Sequence, residues 1–320
     1  MAALMTSVID NPGKVAEYIY TCRQMEIKIL PPDINRGVGS FSVDGGNIRY
    51  GLAAIKSIGR PVIDAIIRER TADGPFKSLK DFMERLTGKE VNKKTIENFV
   101  KSGAFDSLRG TRKQQMMVYI QIMDQVNQER KNSMAGQMTL FDLVGEDQKQ
   151  EFEISYPDVG EYQKETLLAF EKEVLGVYLS GHPLEEYEEK WRKSISATTL
   201  DFQLDEETGH TKVRDGAKEI VGGMITSKTI KYTKNNKTMA FFTVEDLMGT
   251  VEVVVFPRDY EKNQAYIQED NKVFVRGRVS EEDDNASKLI CEEVIPFEQT
   301  KRELWIQYAD KESFLKYSID

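Results

Sequence analysis

The hydrophobic period of this sequence changes once, at Glu219, and that change limits what the chain can fold into. Upstream, apolar residues recur three and four apart, as at Val15, Ile19 and Cys22, the spacing of one helix face. Downstream they alternate, as at Val251, Val253 and Val255, the spacing of a strand with one buried side. A single layer type cannot satisfy both periods, and 320 residues are enough for two bodies or more. The expected class is therefore α+β and multidomain, with a helical part first and a strand-rich part second.

In the second part a strand begins over 220–226 and can run on to Tyr232. Lys234, Asn235, Asn236 and Lys237 read as a turn. Further strands are predicted over 239–244, 249–256, 272–279 and 289–295, with a helix over 257–267. Five strands with a helix between the third and fourth is the order of an OB-fold, a small barrel that often binds single strands. We place it at 218–298. Lys228, Lys231, Lys234 and Lys237 fall in one stretch without an acid, in the loop between the first two strands. Tyr232 and one of Phe241 and Phe242 offer stacking faces; the other Phe must fill the barrel, because neighbours in a strand point opposite ways. These residues are the candidate contacts to a single-stranded template. The segment 218–298 holds 11 basic and 15 acidic residues, a net of -4, so long-range attraction is weak.

Charge singles out another region. The whole chain carries -9, yet residues 48–131 hold 17 Lys and Arg against 10 Asp and Glu, a net of +7. A basic module inside an acidic chain is an electrostatic footprint for nucleic acid. It follows a β-hairpin signal, two alternating triplets around Asp44-Gly45-Gly46-Asn47. Apolar residues then recur at 52, 55, 58, 62, 63, 66 and 67, as in two helices meeting at Ser57-Ile58-Gly59. This arrangement resembles a helix-hairpin-helix, whose turn aims backbone N–H groups at one phosphate while the next helix adds its dipole. The usual turn is Gly-x-Gly; Ser57 replaces the first glycine and leaves the left-handed conformation less free. Candidate contacts are Lys56, Ser57, Ile58, Gly59 and Arg60. A second copy is predicted from a helix over 78–86, with Ser78 as N-cap, a helix over 93–101, and a turn with Lys101, Ser102, Gly103 and Ala104 as contacts. Such a tandem grips phosphates on duplex DNA and reads no base sequence.

Between the two parts lies a polar tract with one apolar cluster, Gly136-Gln137-Met138-Thr139-Leu140-Phe141. A tract this polar cannot bury enough surface to fold alone and is expected to be mobile. One glutamine with three large apolar side chains fits a peptide that docks in a partner's groove. Gln-x-x-Leu-Phe resembles the peptide by which bacterial replication proteins bind the ring-shaped sliding clamp, so Gln137, Met138, Leu140 and Phe141 are the candidate clamp contacts. Other chemistry is thinly represented. Two cysteines and two histidines, far apart, give no metal-ligand spacing. His182 sits between Gly181 and Pro183 in a helix-ending turn with no catalytic partner at a suggestive spacing. No apolar run approaches membrane-spanning length, no signal peptide is recognisable, and the expected compartment is the cytoplasm.

Taken together, the wording of several stretches resembles the C-family replicative polymerase of bacteria, the DNA polymerase III alpha subunit. They include Ile29-Leu30-Pro31-Pro32-Asp33-Ile34-Asn35, Gly74-Pro75-Phe76-Lys77-Ser78-Leu79, Lys101-Ser102-Gly103-Ala104-Phe105-Asp106, Ser180-Gly181-His182-Pro183-Leu184 and Val251-Glu252-Val253-Val254-Val255-Phe256-Pro257. The resemblance implies this map: 1–40, the end of a fingers-like region; 41–131, the tandem helix-hairpin-helix domain; 132–160, a flexible segment with the clamp peptide; 161–217, a helical connector and linker; 218–298, the OB-fold; and 299–320, the start of a C-terminal domain. It also implies duplex DNA, single-stranded template, the sliding clamp and other holoenzyme subunits as partners. Members carry a PHP domain and a palm whose acidic residues bind two metal ions. Neither is found here, so the chain is expected to be a portion cut at both ends, without cofactor or polymerase activity of its own. Mg²⁺ belongs to the missing palm. The alternative is a free-standing adaptor built from the same modules.

Overall fold

A computed structural model of the chain describes residues 1–86, 91–134, 154–205, 209–281 and 286–299. The polypeptide divides into two compact units, with the boundary after Glu188.

The first unit is mainly helical. Asn11 caps α2 (Pro12–Gln24) by accepting from the Lys14 N–H at 3.2 Å, after a short α1 (Ala2–Ser7). Pro12 sits where a helix has no hydrogen bond to lose. Val15, Ile19 and Cys22 form the buried stripe. A small sheet follows. β1 (Ile29–Leu30) pairs parallel with β3 (Asn47–Arg49), and β2 (Ser42–Asp44) pairs antiparallel with β3. Gly45 and Gly46 close that hairpin with φ of 60° and 85°, which glycine adopts without strain. Arg49 is buried and donates to Asp44 (Nε–Oδ2 3.0 Å) and to the Pro31 carbonyl (2.9 Å).

Four helices build the core: α3 (Arg60–Asp73), α4 (Leu79–Leu86), α5 (Lys93–Ser102) and α6 (Arg112–Met134). Ser78 accepts from the Asp81 N–H at 3.1 Å, and so caps α4 as its sequence predicts. Leu79, Phe82, Met83 and Leu86 are all buried. Phe82 meets Phe76, Phe99 and Phe105 edge-on at centroid distances of 4.9, 6.0 and 5.0 Å, the favoured geometry for aromatic quadrupoles. α7 (Lys164–Leu175) and the residues after it join this core through Val174, Leu175, Val177 and Leu179.

The second unit is a closed barrel of β4 (Lys218–Tyr232), β5 (Thr238–Glu245), β6 (Thr250–Val255), β7 (Lys272–Ser280) and β8 (Lys288–Pro296), in the order β4-β5-β6-β8-β7. α8 (Glu188–Ser194) precedes it, and α9 (Pro257–Asn263) joins β6 to β7. β6 and β8 are parallel, while β4 is antiparallel to both β5 and β7. This is the strand order of an OB-fold. Val221, Ile225, Phe242, Val244, Val253, Val275 and Leu289 fill the interior. On the outside, Trp191 covers Gly222, donating its indole N–H to the Gly222 carbonyl at 2.6 Å. Phe274 stacks on Phe297 at 4.2 Å nearby.

The segment 161–217, expected to be connector and linker, divides between the units. Its first part belongs to the helical core. In its second part, Ala197, Phe202 and Val213 are buried in the barrel core. A capping box at Thr198 and Asp201 fixes the turn that delivers Phe202, so this stretch is part of the fold.

Candidate nucleic-acid interface

The first candidate turn precedes α3. The helix expected before it is a single 3-10 turn, Leu52–Ala54. Ile55, Ile58 and Val62 are buried and anchor the turn from beneath, whereas Lys56, Ser57, Gly59 and Arg60 are exposed. Ser57 takes φ of 65°, the conformation the usual glycine would supply. The strain is imposed by its neighbour. The Lys56 N–H donates to the Val174 carbonyl at 2.8 Å, and the Lys56 carbonyl accepts from Asn98 Nδ2 at 2.8 Å. With both sides of Lys56 held, the chain must turn back at Ser57.

What remains is a set of open donors. The backbone N–H groups of Ser57, Gly59 and Arg60 meet no acceptor among the described residues. Gly59 is the N-cap of α3, without a side chain to occupy the helix end, and no acid lies in the first turn. A helix N-terminus of this kind favours an anion through its dipole and its unpaired N–H groups. Lys56 and Arg60 add positive charge beside them.

The support beneath the turn is α7. Its last carbonyls have no partner within the helix. Lys56 N–H takes Val174, and the Tyr50 hydroxyl takes Leu175 at 3.2 Å. Burial pushes the Tyr50 phenol well above its ordinary range, so it stays a donor. Glu171, almost fully buried, accepts from the N–H groups of Leu179 and Ser180 at 2.8 and 3.0 Å. Sequence reading missed Tyr50, Asn98 and Val174. The one signal was weak, Asn98 being one of three polar residues, with Thr95 and Ser102, among the buried positions of α5.

The second turn does not repeat this geometry. Ser102, Gly103 and Ala104 are buried. Gly103, at φ of 80°, is the left-handed cap of α5, and its N–H donates to Val100 and Phe99. The Ala104 N–H donates to Phe99 at 2.9 Å, and the Ser102 hydroxyl to the same carbonyl at 3.0 Å. Lys101 is bound to Glu97 and Glu173 at 2.7 and 2.8 Å. Arg112, paired with Asp106 at 2.7 Å, lies where a Gly103 side chain would be. The expectation that Lys101, Ser102, Gly103 and Ala104 hold a phosphate is therefore revised. Their donors are spent on ending a helix.

On the barrel, β4 and β5 extend as a ribbon. Lys231, Tyr232, Lys234 and Lys237 are exposed and Lys228 half-buried. Phe242 is 1% exposed and is the core member of its pair. Register shows that the candidates do not share a face. Lys228 is opposite Phe242, Ile230 opposite Ala240 and Tyr232 opposite Thr238, while Lys231 opposite Met239 lies on the other side with Thr229 and Phe241. Lys231 Nζ stands 4.6 Å over the Phe241 ring, and Lys228 Nζ 5.9 Å over Tyr260. Lys234 and Lys237 sit in the ribbon's end turn, closed by Thr233 N–H to Lys237 carbonyl at 2.9 Å.

Gln137, Met138, Leu140 and Phe141 lie outside the described residues, as does the expected C-terminal domain from residue 300 on. Among the described residues, no cluster of His, Cys, Asp or Glu could hold a metal, and no helix is long and apolar enough to cross a membrane.

Comparison with known proteins agrees with this geometry. Residues 26–115 match a family model described as a helix-hairpin-helix motif, and 220–297 match one described as an OB-fold nucleic acid binding domain. The chain is 35% identical over 299 residues to DNA polymerase III subunit alpha of Borreliella burgdorferi, covering 93% of this chain and 25% of that protein. It is similar to a segment of the DNA polymerase III alpha subunit. The Mycobacterium leprae protein of that name is 34% identical over 299 residues, and the Escherichia coli K12 one 32% identical over 318. The chain spans about a quarter of the length of these alpha subunits.

Proposed function

We propose that this chain is the DNA- and clamp-binding portion of a bacterial replicative DNA polymerase. The observation that carries the reading is the braced turn at 56–60, with open N–H donors at a helix start beside Lys56 and Arg60, inside a region matching a helix-hairpin-helix model. It contacts duplex DNA through phosphates and without base readout. The barrel takes the single-stranded template. The peptide around Gln137, Leu140 and Phe141 docks on the sliding clamp, and holoenzyme subunits are the remaining partners. Catalysis and its Mg²⁺ belong to the palm of the intact enzyme, in the cytoplasm, and this chain alone performs no synthesis.

The test is duplex affinity against salt. With about three phosphates neutralised, log K should fall with log salt at a slope near -3. Lys56→Ala with Arg60→Ala should weaken binding and flatten the slope toward about -1. A slope near zero in the unaltered chain refutes phosphate binding. For the clamp, Leu140→Ala with Phe141→Ala should abolish binding and leave the melting temperature unchanged; a marked fall in stability would show that these side chains belong to the core.

A further inference from the structure

Asn98 is 2% exposed, halfway along α5, among Thr95, Ile96, Phe99 and Ser102. Its amide is only half used. Nδ2 donates to the Lys56 carbonyl at 2.8 Å, across 42 residues of sequence, while no protein group among the described residues donates to Oδ1. Burying an acceptor without a partner is unfavourable. Stability of α5 does not account for the residue, since an apolar side chain would pack there without that penalty. The bond it does make falls on the residue before the left-handed Ser57.

We propose that Asn98 is a positioning residue for phosphate binding, the link by which the second helical pair holds the 56–60 turn open. This rests on the reading of that turn as a phosphate contact. The mechanism is geometric. With the Lys56 N–H fixed on Val174, the peptide plane after Lys56 retains one rotation. Nδ2 holds the carbonyl on that plane inward, toward α5. The opposite side of the same plane is the Ser57 N–H, which is thereby turned away from the protein. If the carbonyl is released, the plane rotates, the Ser57 donor is no longer held outward beside those of Gly59 and Arg60, and the carbonyl oxygen can face the phosphate. Reading the buried turn at 101–104 as a second phosphate site missed this; α5 contributes to binding through its middle, as a brace.

Two variants test the proposal in the full chain. Asn98→Leu is nearly isosteric and removes both the donor and the unpartnered acceptor, so the melting temperature should change little. Asn98→Asp keeps the shape but sets a carboxylate against the carbonyl. Both should lower affinity for a blunt 20-base-pair duplex about tenfold, the size of one charge-assisted hydrogen bond lost. They should leave the salt slope, which counts the Lys and Arg charges set on phosphates, near that of the unaltered chain, with binding of a single-stranded oligonucleotide unchanged. A merely structural role would lower the melting temperature and leave duplex affinity, measured well below it, unchanged. Lys56→Ala with Arg60→Ala is the control. If that control weakens binding while both Asn98 variants bind duplex with unaltered affinity, the positioning role is overturned. If the control itself binds normally, the turn does not contact DNA and the underlying reading fails.

Discussion

Ser57 shows how tertiary contacts override a residue's preference. A non-glycine residue in the left-handed region costs about 1 kcal/mol or more, and the Ser57 hydroxyl makes no hydrogen bond among the described residues to offset it. Ser57→Gly should relieve that strain, but glycine adds freedom to the unfolded chain worth about 0.5–1 kcal/mol. The net expectation is a melting temperature unchanged or slightly raised, with duplex affinity retained. A fall of several degrees would show that the serine side chain has a role of its own. Gly222 is the opposite case. A Cβ there would lie 2.6 Å from the Phe274 ring and 2.9 Å from Trp191. Gly222→Ala should therefore destabilise the barrel by about 1–3 kcal/mol, the usual cost of overpacking, seen as an earlier unfolding transition of Trp191 fluorescence. The helical spacing of the apolar residues around Ser57 predicts a turn there, and a turn is present, although the helix expected before it is a single 3-10 turn. The sequence could not distinguish a phosphate turn from a helix cap at Gly103, since both use glycine at the same place. Arg112, nine residues later, decides between them by filling the space over Gly103.

At the scale of elements, strands were legible and their packing was not. Alternation located all five barrel strands to within a residue or two, apart from the irregularity between Ile225 and Ser227 that resets the faces of β4. That irregularity is a backbone feature with no side-chain signature; Lys228 and Lys231, both beyond it, lie on opposite sides of the ribbon because they are three residues apart in an alternating strand. Phe202 was missed for a different reason. Its stretch alternates Leu200, Phe202 and Leu204 over too few residues to mark an element, and it folds as a 3-10 turn held by a capping box. The two ribbon faces now make separate predictions. Lys231 with Phe241 forms one cationic and aromatic surface; Lys228 with Tyr232 lies on the other. Base stacking on an aromatic side chain is worth about 1–3 kcal/mol. Phe241→Ala with Lys231→Ala, and Tyr232→Ala with Lys228→Ala, should differ in their effect on single-strand affinity. Only one face can track a single strand, so one pair should lose at least about fivefold, by the lower end of that stacking energy, and the other little. Equal, small losses from both pairs would show that the ribbon does not bind bases.

Across the whole molecule, charge is separated along the chain. Residues 48–131 carry +7 while the barrel region 218–298 carries -4, so any attraction for DNA should be local to residues 48–131, because the helical unit as a whole, residues 1–188, is also -4. The barrel attracts a strand poorly by itself. Once the helical unit holds a duplex, covalent linkage turns the second contact into an intramolecular one, at an effective concentration set by the linkage. Two weak sites of different preference, one for duplex phosphates and one for unpaired bases, then select a substrate that presents both. The chain should therefore favour a primer–template junction over a blunt duplex of the same length. Lys228→Ala, Lys231→Ala, Lys234→Ala and Lys237→Ala combined should remove that preference and leave blunt-duplex affinity and its salt slope intact. Competition binding with the two DNAs reads both quantities. If the quadruple variant keeps its preference for the junction, the barrel's lysines are not the single-strand contact, and the barrel serves this chain as a structural or protein-docking module.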